Sequence, residues 1–368
     1  ILALLCVVYD LIDVRHWPKP DVLPGRRPDR RPDRRPDRRD GANKPVSEPQ
    51  GQIAERPAVT VRPTVTVVVP VYNDFETLPA TIDSILPGLE AGDSLIVVDD
   101  GSTAAEAGAV LAGLEGKVHR VLSIPHAGKH AAVMAGCHES DAEILVIVDA
   151  DTVVPADFLA LLGAQFHDPE VLAVDVIPQV ANPQASLWTR LAEFERGLLT
   201  LRPTSFGALF AIRTETLRAM PMRACRSPQF ELDLRLKQAN GLRFVTEPLV
   251  HSAEPTTLRA AYRRKRRWIL GMLQGLTLNE LPIPYTLYLC VIETLLCALI
   301  LLTPWQPRML LPATLVLGVW LIKSLWLGWR YRLGSAPALI YPLYMLVLAA
   351  AATDALVRHR LGRSSAWR

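Results

Sequence analysis

From Thr64 onward the chain alternates two kinds of segment. Short apolar runs read as strands: VTVVVP from Val65, SLIVVDD from Ser94, HRVLSI from His119 and EILVIVD from Glu143. Between and after them lie helix-length stretches, Glu76–Leu86, Ala104–Leu114, Lys129–His138 and Pro155–Phe166. Strands alternating with helices predict an α/β fold, a mostly parallel sheet with helices on both faces. Such sheets bind ligands at the carboxyl ends of their strands. Polar residues gather at those ends: Asn73 and Asp74 after the first, Asp99 and Asp100 after the second, Asp149 and Asp151 after the fourth.

The flanks follow other patterns. Ile1–Tyr9 is apolar but too short to cross a bilayer, so residues 1–17 read as a truncated membrane or hydrophobic segment. Residues 18–62 contain RRPD three times in a row and offer almost nothing to bury, which predicts an extended, disordered linker. After Pro282 the chain turns membrane-like. Tyr285–Thr303 is apolar but for Glu293, Met309–Trp329 but for Lys323, and Pro337–Thr353 is slightly short; two or three spans are expected within 282–357. The basic cluster Arg263–Arg267 predicts an interfacial helix over 259–281 and a cytosolic domain at 63–258. The tail 358–368, with Arg358, Arg360 and Arg363, favours the same side, which conflicts with three full crossings unless the third segment is re-entrant.

Charge and cysteine usage narrow the class. The formal net charge of the 368 residues is only +3. The arginines of the linker are interleaved with aspartates and accompanied by no aromatics, which favours a solvated segment and no nucleic-acid partner. Five scattered cysteines without a C-x-x-C pair argue against a zinc site or a disulfide framework.

The most informative polar feature is Asp149-Ala150-Asp151, which ends the apolar run from Ile144. In extended geometry the two carboxylates point to one side. That suits Mg²⁺ or Mn²⁺ holding a diphosphate, because these hard cations prefer oxygen ligands. Taken alone, such a pair is better read as a solvated strand end with a helix cap; its neighbours shift the reading toward the cation. Lys129, after His126-Ala127-Gly128, opens a helix where a cation can meet a diphosphate. The loop is not a Walker A motif, since Ser123 and His130 stand where glycine and Ser/Thr are required.

Five motifs in order, VVVPVYND, LIVVDDGST, GKHAAVMAG, IVDADTVVPADFL and AEPTTL with RRWILGMLQ, resemble family 2 glycosyltransferases over about Thr64–Gln274. With the apolar C-terminus, the chain is similar to the membrane-integrated branch that includes chitin, cellulose and hyaluronan synthases. The resemblance implies a GT-A fold, a nucleotide-diphosphate sugar donor with UDP as the expected nucleotide, and inversion at the anomeric carbon. It assigns Pro70, Tyr72, Asn73, Asp99, Asp100, Lys129, Asp149 and Arg267 to the nucleotide sugar, Asp149 and Asp151 to the metal, and Trp268 to the acceptor sugar.

The same resemblance expects a Glu-Asp pair to open a later helix and supply the base that takes the acceptor proton. Here Pro228 and Gln229 occupy those positions, and glutamine cannot act as a base. The nearest carboxylates, Asp233 and Glu231, become the candidates, with an i,i+4 pair between Glu231 and Arg235 as the structural alternative. Met134 and Arg264 also depart from the family pattern, which usually has Asn and Gln there. Trp268, Ile269 and Leu270 could equally sit in lipid as the apolar side of an interfacial helix. The expectation is a multi-pass enzyme of the plasma or inner membrane, its catalytic domain cytosolic, acting on a glycan or lipid-carrier hydroxyl. The alternatives are single transfer to a polyprenyl phosphate or glycolipid, and a degenerate nucleotide-sugar-binding scaffold.

Overall fold

The structure is a computed structural model that describes residues 62–199, 207–247, 250–282 and 335–362, with isolated positions between 314 and 329. Segment 1–17, the linker up to residue 61, the first expected span and most of the second lie outside the described residues. Arg62, expected in the linker, belongs to the folded unit. It pairs with Asp93, whose carboxylate also accepts the backbone N–H groups of Val65 (3.0 Å) and Glu90 (2.8 Å).

The expected strands are all present: β1 (Val65–Val71), β2 (Ser94–Asp99), β3 (Arg120–Ser123) and β4 (Ile144–Val148). They pair in parallel in the order β3-β2-β1-β4. The short β5 (Thr152–Val153) and the strands β6 (Ala173–Val176), β7 (Gln179–Val180), β8 (Leu209–Arg213), β9 (Leu242–Val245) and β10 (His251–Ser252) follow. The seven-stranded sheet runs on as β8-β6-β9, with β8 antiparallel to both neighbours. A small sheet, β5-β10-β7, stands beside it.

Side chains alternate across the pleat, so each central strand feeds two cores. Val65, Val67, Val69 and Val71 join Ile144, Val146 and Val148 on one face, under α1 (Leu78–Ile85), α2 (Ala107–Ala112) and α4 (Phe158–Gln165). Val68, Leu145 and Ile147 join the other face, under α3 (Lys129–His138), α6 (Thr214–Ala219) and α7 (Pro228–Gln238). Burial on both faces is why these strands read as continuous apolar runs. Helix α5 (Leu187–Leu199) lies between β7 and β8 in sequence.

Ser227 occupies the N-cap of α7 and Pro228 its first turn. The C-terminal reversal falls on Asn240, at φ 55°. Gly241 is needed for space, since a Cβ there would stand 2.4 Å from Leu172 Cγ. Asparagine is the non-glycine residue that best tolerates this conformation.

The basic segment forms α8 (Leu258–Leu278) and the expected third span falls in α9 (Ser335–Arg360). Leu270 does not face lipid: it is buried with Leu273 against Ala352, Ala355 and Leu356 of α9. Asp354 of α9 accepts from Tyr262 (3.1 Å) and Arg266 (3.0 Å) of α8. Among the described residues no helix is long and apolar enough to cross a membrane.

Close approach of α3 to the sheet depends on Gly136, where a Cβ would lie 2.6 Å from Val68 Cγ1. Gly136→Val is expected to lower unfolding stability by roughly 1–3 kcal/mol through overpacking, measured by denaturant titration followed by tryptophan fluorescence.

Candidate active site

Asp149 and Asp151 do not sit on an extended strand end. Strand β4 stops at Val148, and a turn follows in which the Thr152 N–H donates to the Asp149 carbonyl at 3.0 Å. The turn still brings both side chains to one rim, because both line the same open cavity of about 440 Å³. The Lys129 ammonium, at the start of α3, pairs with Asp149 and also donates to the Gly207 carbonyl at 3.1 Å. Burial pushes the Asp149 carboxyl above its ordinary range; Lys129 opposes that and Asp151 adds to it. Asp151 accepts from the Thr152 hydroxyl at 3.3 Å.

The loops after β1 and β2 are braced by carboxylate and amide groups. Asp100, 3% exposed, accepts the N–H groups of Ala127 and Gly128, both at 2.8 Å, and lies 2.9 Å from His126 Nδ1. This fixes the loop that delivers Lys129. Asp99 accepts the Ser102 N–H at 3.0 Å, a local turn bond. Asn73, at φ 53°, clamps the next loop by accepting from Thr103 (2.8 Å) and Ala104 (2.9 Å). Pro70, Tyr72, Asp74 and Asp100 reach the cavity; Asn73 and Asp99 are not among its lining residues. Tyr72, 41% exposed, stacks on His126 with ring centroids 4.1 Å apart.

Helix α7 presents Pro228, Gln229 and Phe230 to the cavity, and neither Glu231 nor Asp233 lines it. The two candidate bases are therefore misplaced. Glu231 is fully buried, held by Arg235 through two bonds at 2.8 and 2.9 Å, by Arg223 at 3.3 Å and by Asn279 at 3.3 Å. Asp233 is 1% exposed within the interior. Glu231 lies about 200° round the helix from Gln229 and so faces away from it, while Asp233 shares the face of Gln229 but sits one turn further along, in the interior. Gln229 is 4% exposed, with no hydrogen-bond partner for either amide atom among the described residues. Gly207, at φ 78°, makes room for it: a Cβ there would come within 3.1 Å of Gln229 Oε1.

Helix α8 closes the site with Arg267 and Trp268, which both line the cavity. The Arg267 pKa is lowered chiefly by desolvation and then by Arg264, and raised by Asp149 and Asp151. Arg264 lies 5.0 Å over the Trp268 ring and Lys265 4.5 Å from it. Arg264 also donates to the Ala253 carbonyl at 2.8 Å. Met134 packs against the second core and is not among the cavity's lining residues.

Residues 66–227 match the family model of glycosyl transferase family 2. This segment is a family 2 glycosyltransferase domain. It is 33% identical over 132 residues to the undecaprenyl-phosphate 4-deoxy-4-formamido-L-arabinose transferase of Proteus mirabilis (strain HI4320), covering 34% of this chain and 39% of that protein. It is 31% identical over 147 residues to the protein of the same name in Yersinia pestis (strain Pestoides F), covering 38% and 44%. The chain thus spans about two-fifths of the length of these curated relatives. In structure it resembles a mannosyltransferase from Pyrobaculum calidifontis in complex with GDP-Man and Mn²⁺. The TM-score is 0.53 at 20% identity, over 82% of this chain and 88% of that one, which shows a shared GT-A-like fold.

Within the family 2 domain the rim suits a particular kind of cation. Asp149 and Asp151 offer hard oxygen donors, and among the described residues no group of three or more His, Cys, Asp or Glu could enclose a metal ion. Two carboxylates fit Mg²⁺ or Mn²⁺ that keeps positions open for ligand oxygens, and not a closed structural site.

Sequence reasoning missed several groups near the site. Arg226, Ser252, Arg259 and Arg263 line the cavities at the rim. Arg196 pairs with the buried Glu254. Glu254, inside AEPTTL, and Arg263, inside the basic cluster, carried a signal; the others are brought to the rim by tertiary packing, which local pattern does not encode.

Glu231→Ala is expected to act on folding, not on chemistry. Stranding the Arg235 guanidinium should cost about 3–5 kcal/mol, read as a lowered unfolding midpoint. A variant that keeps its midpoint while losing a catalytic proton transfer would return Glu231 to the site.

Proposed function

We propose that this chain is a membrane-associated inverting glycosyltransferase. It moves a sugar from a nucleotide-diphosphate sugar, UDP-linked by resemblance, to an acceptor on a lipid carrier. The observation that carries this reading is the convergence of Asp149, Asp151, Lys129 and Arg267 on one cavity at the carboxyl end of the sheet. Carboxylates for a cation and two basic side chains for phosphate oxygens form a donor-diphosphate site.

The residues divide the work by position. Tyr72 offers an exposed aromatic face beside Asp100, suited to a nucleobase. Asp100 and Asp99 shape that end through their backbone bonds. Lys129, released from Asp149, and Arg267 would meet the diphosphate from opposite walls. Bound Mg²⁺ or Mn²⁺ would neutralise charge that develops on the departing nucleoside diphosphate. Trp268 provides an apolar face for a sugar ring, steadied by Arg264 and Lys265.

The lipid-carrier reading is preferred over polymer synthesis on two grounds. The helix that should supply a base supplies Gln229 instead. The curated relatives are named as undecaprenyl-phosphate transferases. The membrane spans remain part of this proposal, carried by the apolar segments 285–303 and 309–329. Gln229 also supports a second reading, a scaffold that binds the donor without turnover. It predicts donor binding with no product from any acceptor.

Detergent-purified protein, supplied with Mn²⁺ and a panel of radiolabelled UDP-sugars, is expected to release UDP in a chelator-sensitive reaction. Asp151→Ala should reduce turnover at least about 100-fold without shifting the melting temperature, since among the described residues that carboxylate's hydrogen-bond partner is the Thr152 hydroxyl. Turnover that persists in excess chelator would overturn the metal-dependent reading.

A further inference from the structure

A second cavity of about 500 Å³ adjoins the first and shares Asp149, Asp151, Arg267 and Trp268 with it. Its remaining wall is strongly basic: Arg196, Arg259, Arg263 and Arg264 line it with Ser252. Buried Glu254 is the counterion for Arg196 and lies 3.5 Å from Arg264. Among the described residues Arg259 and Arg263 have no carboxylate partner. Both are exposed and adjacent on the first turns of α8. The Ser252 hydroxyl, on a residue 3% exposed, lines the same space and has no hydrogen-bond partner among the described residues. A buried unsatisfied hydroxyl is costly unless something binds there. Arginines without counterions at the edge of the same space indicate an anion.

We propose that this second cavity is the acceptor subsite and that it takes a phosphate monoester. The assignment rests on the donor occupying the first cavity, as in the function proposed above. The two cavities meet at the Asp149–Asp151 rim, so an anion held by Arg259, Arg263 and Ser252 approaches the donor across that rim. Gln229 then needs no basic character. A phosphate monoester is already largely dianionic near neutral pH, and its oxygen attacks without giving up a proton. The bond from that oxygen to the anomeric carbon forms as the bond from that carbon to the donor's diphosphate oxygen breaks. The products are a sugar phosphodiester and the nucleoside diphosphate. No oxidant, reductant or base is required, and the charge lost by the acceptor phosphate appears on the leaving group.

The test measures binding to the full chain in detergent by calorimetry, with farnesyl phosphate, farnesol and inorganic phosphate as probes and UDP with Mn²⁺ as the donor-side control. Farnesyl phosphate should bind, and farnesol should not. The double variant Arg259→Ala/Arg263→Ala, at two exposed positions, should weaken farnesyl phosphate at least tenfold and leave UDP binding within twofold. Ser252→Ala should weaken it several-fold. Equal binding of farnesol, or full affinity in the double variant, overturns the proposal. Inorganic phosphate that binds as tightly as farnesyl phosphate assigns the site to free phosphate and overturns the acceptor role. Loss of UDP binding in the native chain would instead sink the donor reading, so the two failures are told apart.

Discussion

The ion pair between Lys129 and Asp149 joins the two halves of the site. Lys129 is the first residue of a helix on one face of the sheet, and Asp149 is the first residue after its central strand. The ammonium also reaches the Gly207 carbonyl, just before the antiparallel strand. One cation thus ties three chain segments at the point where the sheet changes direction. Asp100 supports it from behind by accepting two backbone N–H groups of the loop that carries Lys129. A ligand bearing phosphate and a cation would exchange partners with this pair: lysine to phosphate, carboxylate to metal. The site is held together by the same charges that would bind its substrate.

The other half is delivered by helix-on-helix packing. Helix α8 lies against α7 through Gly271 and Gly275, one turn apart. A Cβ at Gly271 would stand 2.2 Å from Ser227 Oγ, and one at Gly275 would stand 3.1 Å from Phe230 Cδ1. Helix α9 covers the opposite side of α8 with Ala352 and Ala355. Small residues on both sides let α8 sit deep, and Arg267 and Trp268 come down on the carboxylate rim as a consequence. Glu231 belongs to this framework. Its contacts with Arg235, Arg223 and Asn279 fasten α7 to its surroundings.

Charge is distributed unequally around the rim. The donor side balances Asp74, Asp100, Asp149 and Asp151 against Lys129, Arg226 and Arg267. The adjoining cavity sets five arginines against Asp149 and Asp151, with Glu254 behind the wall. An acceptor that arrives neutral would gain little from such a field. An acceptor that arrives as an anion would be drawn in and held.

The sequence alone determined the central sheet, because strands buried on both faces must be apolar without interruption and Val65–Val71, Ser94–Asp99 and Ile144–Val148 are nearly so. It also placed Asp100 and Asp149 at the ends of apolar strands and Lys129 at the start of a helix, and all three line the same cavity. It could not decide Asn73, Asp99, Glu231 or Asp233, because a carboxylate or amide looks the same in a string whether it faces a ligand, a backbone N–H or an arginine. The face of α7, the depth of α8 and the gathering of Arg196, Arg259 and Arg263 were decided only by tertiary structure. They depend on where helices distant in sequence come to rest, and that is fixed by close packing at Gly207, Gly271 and Gly275, a property of pairs of segments and of no segment by itself.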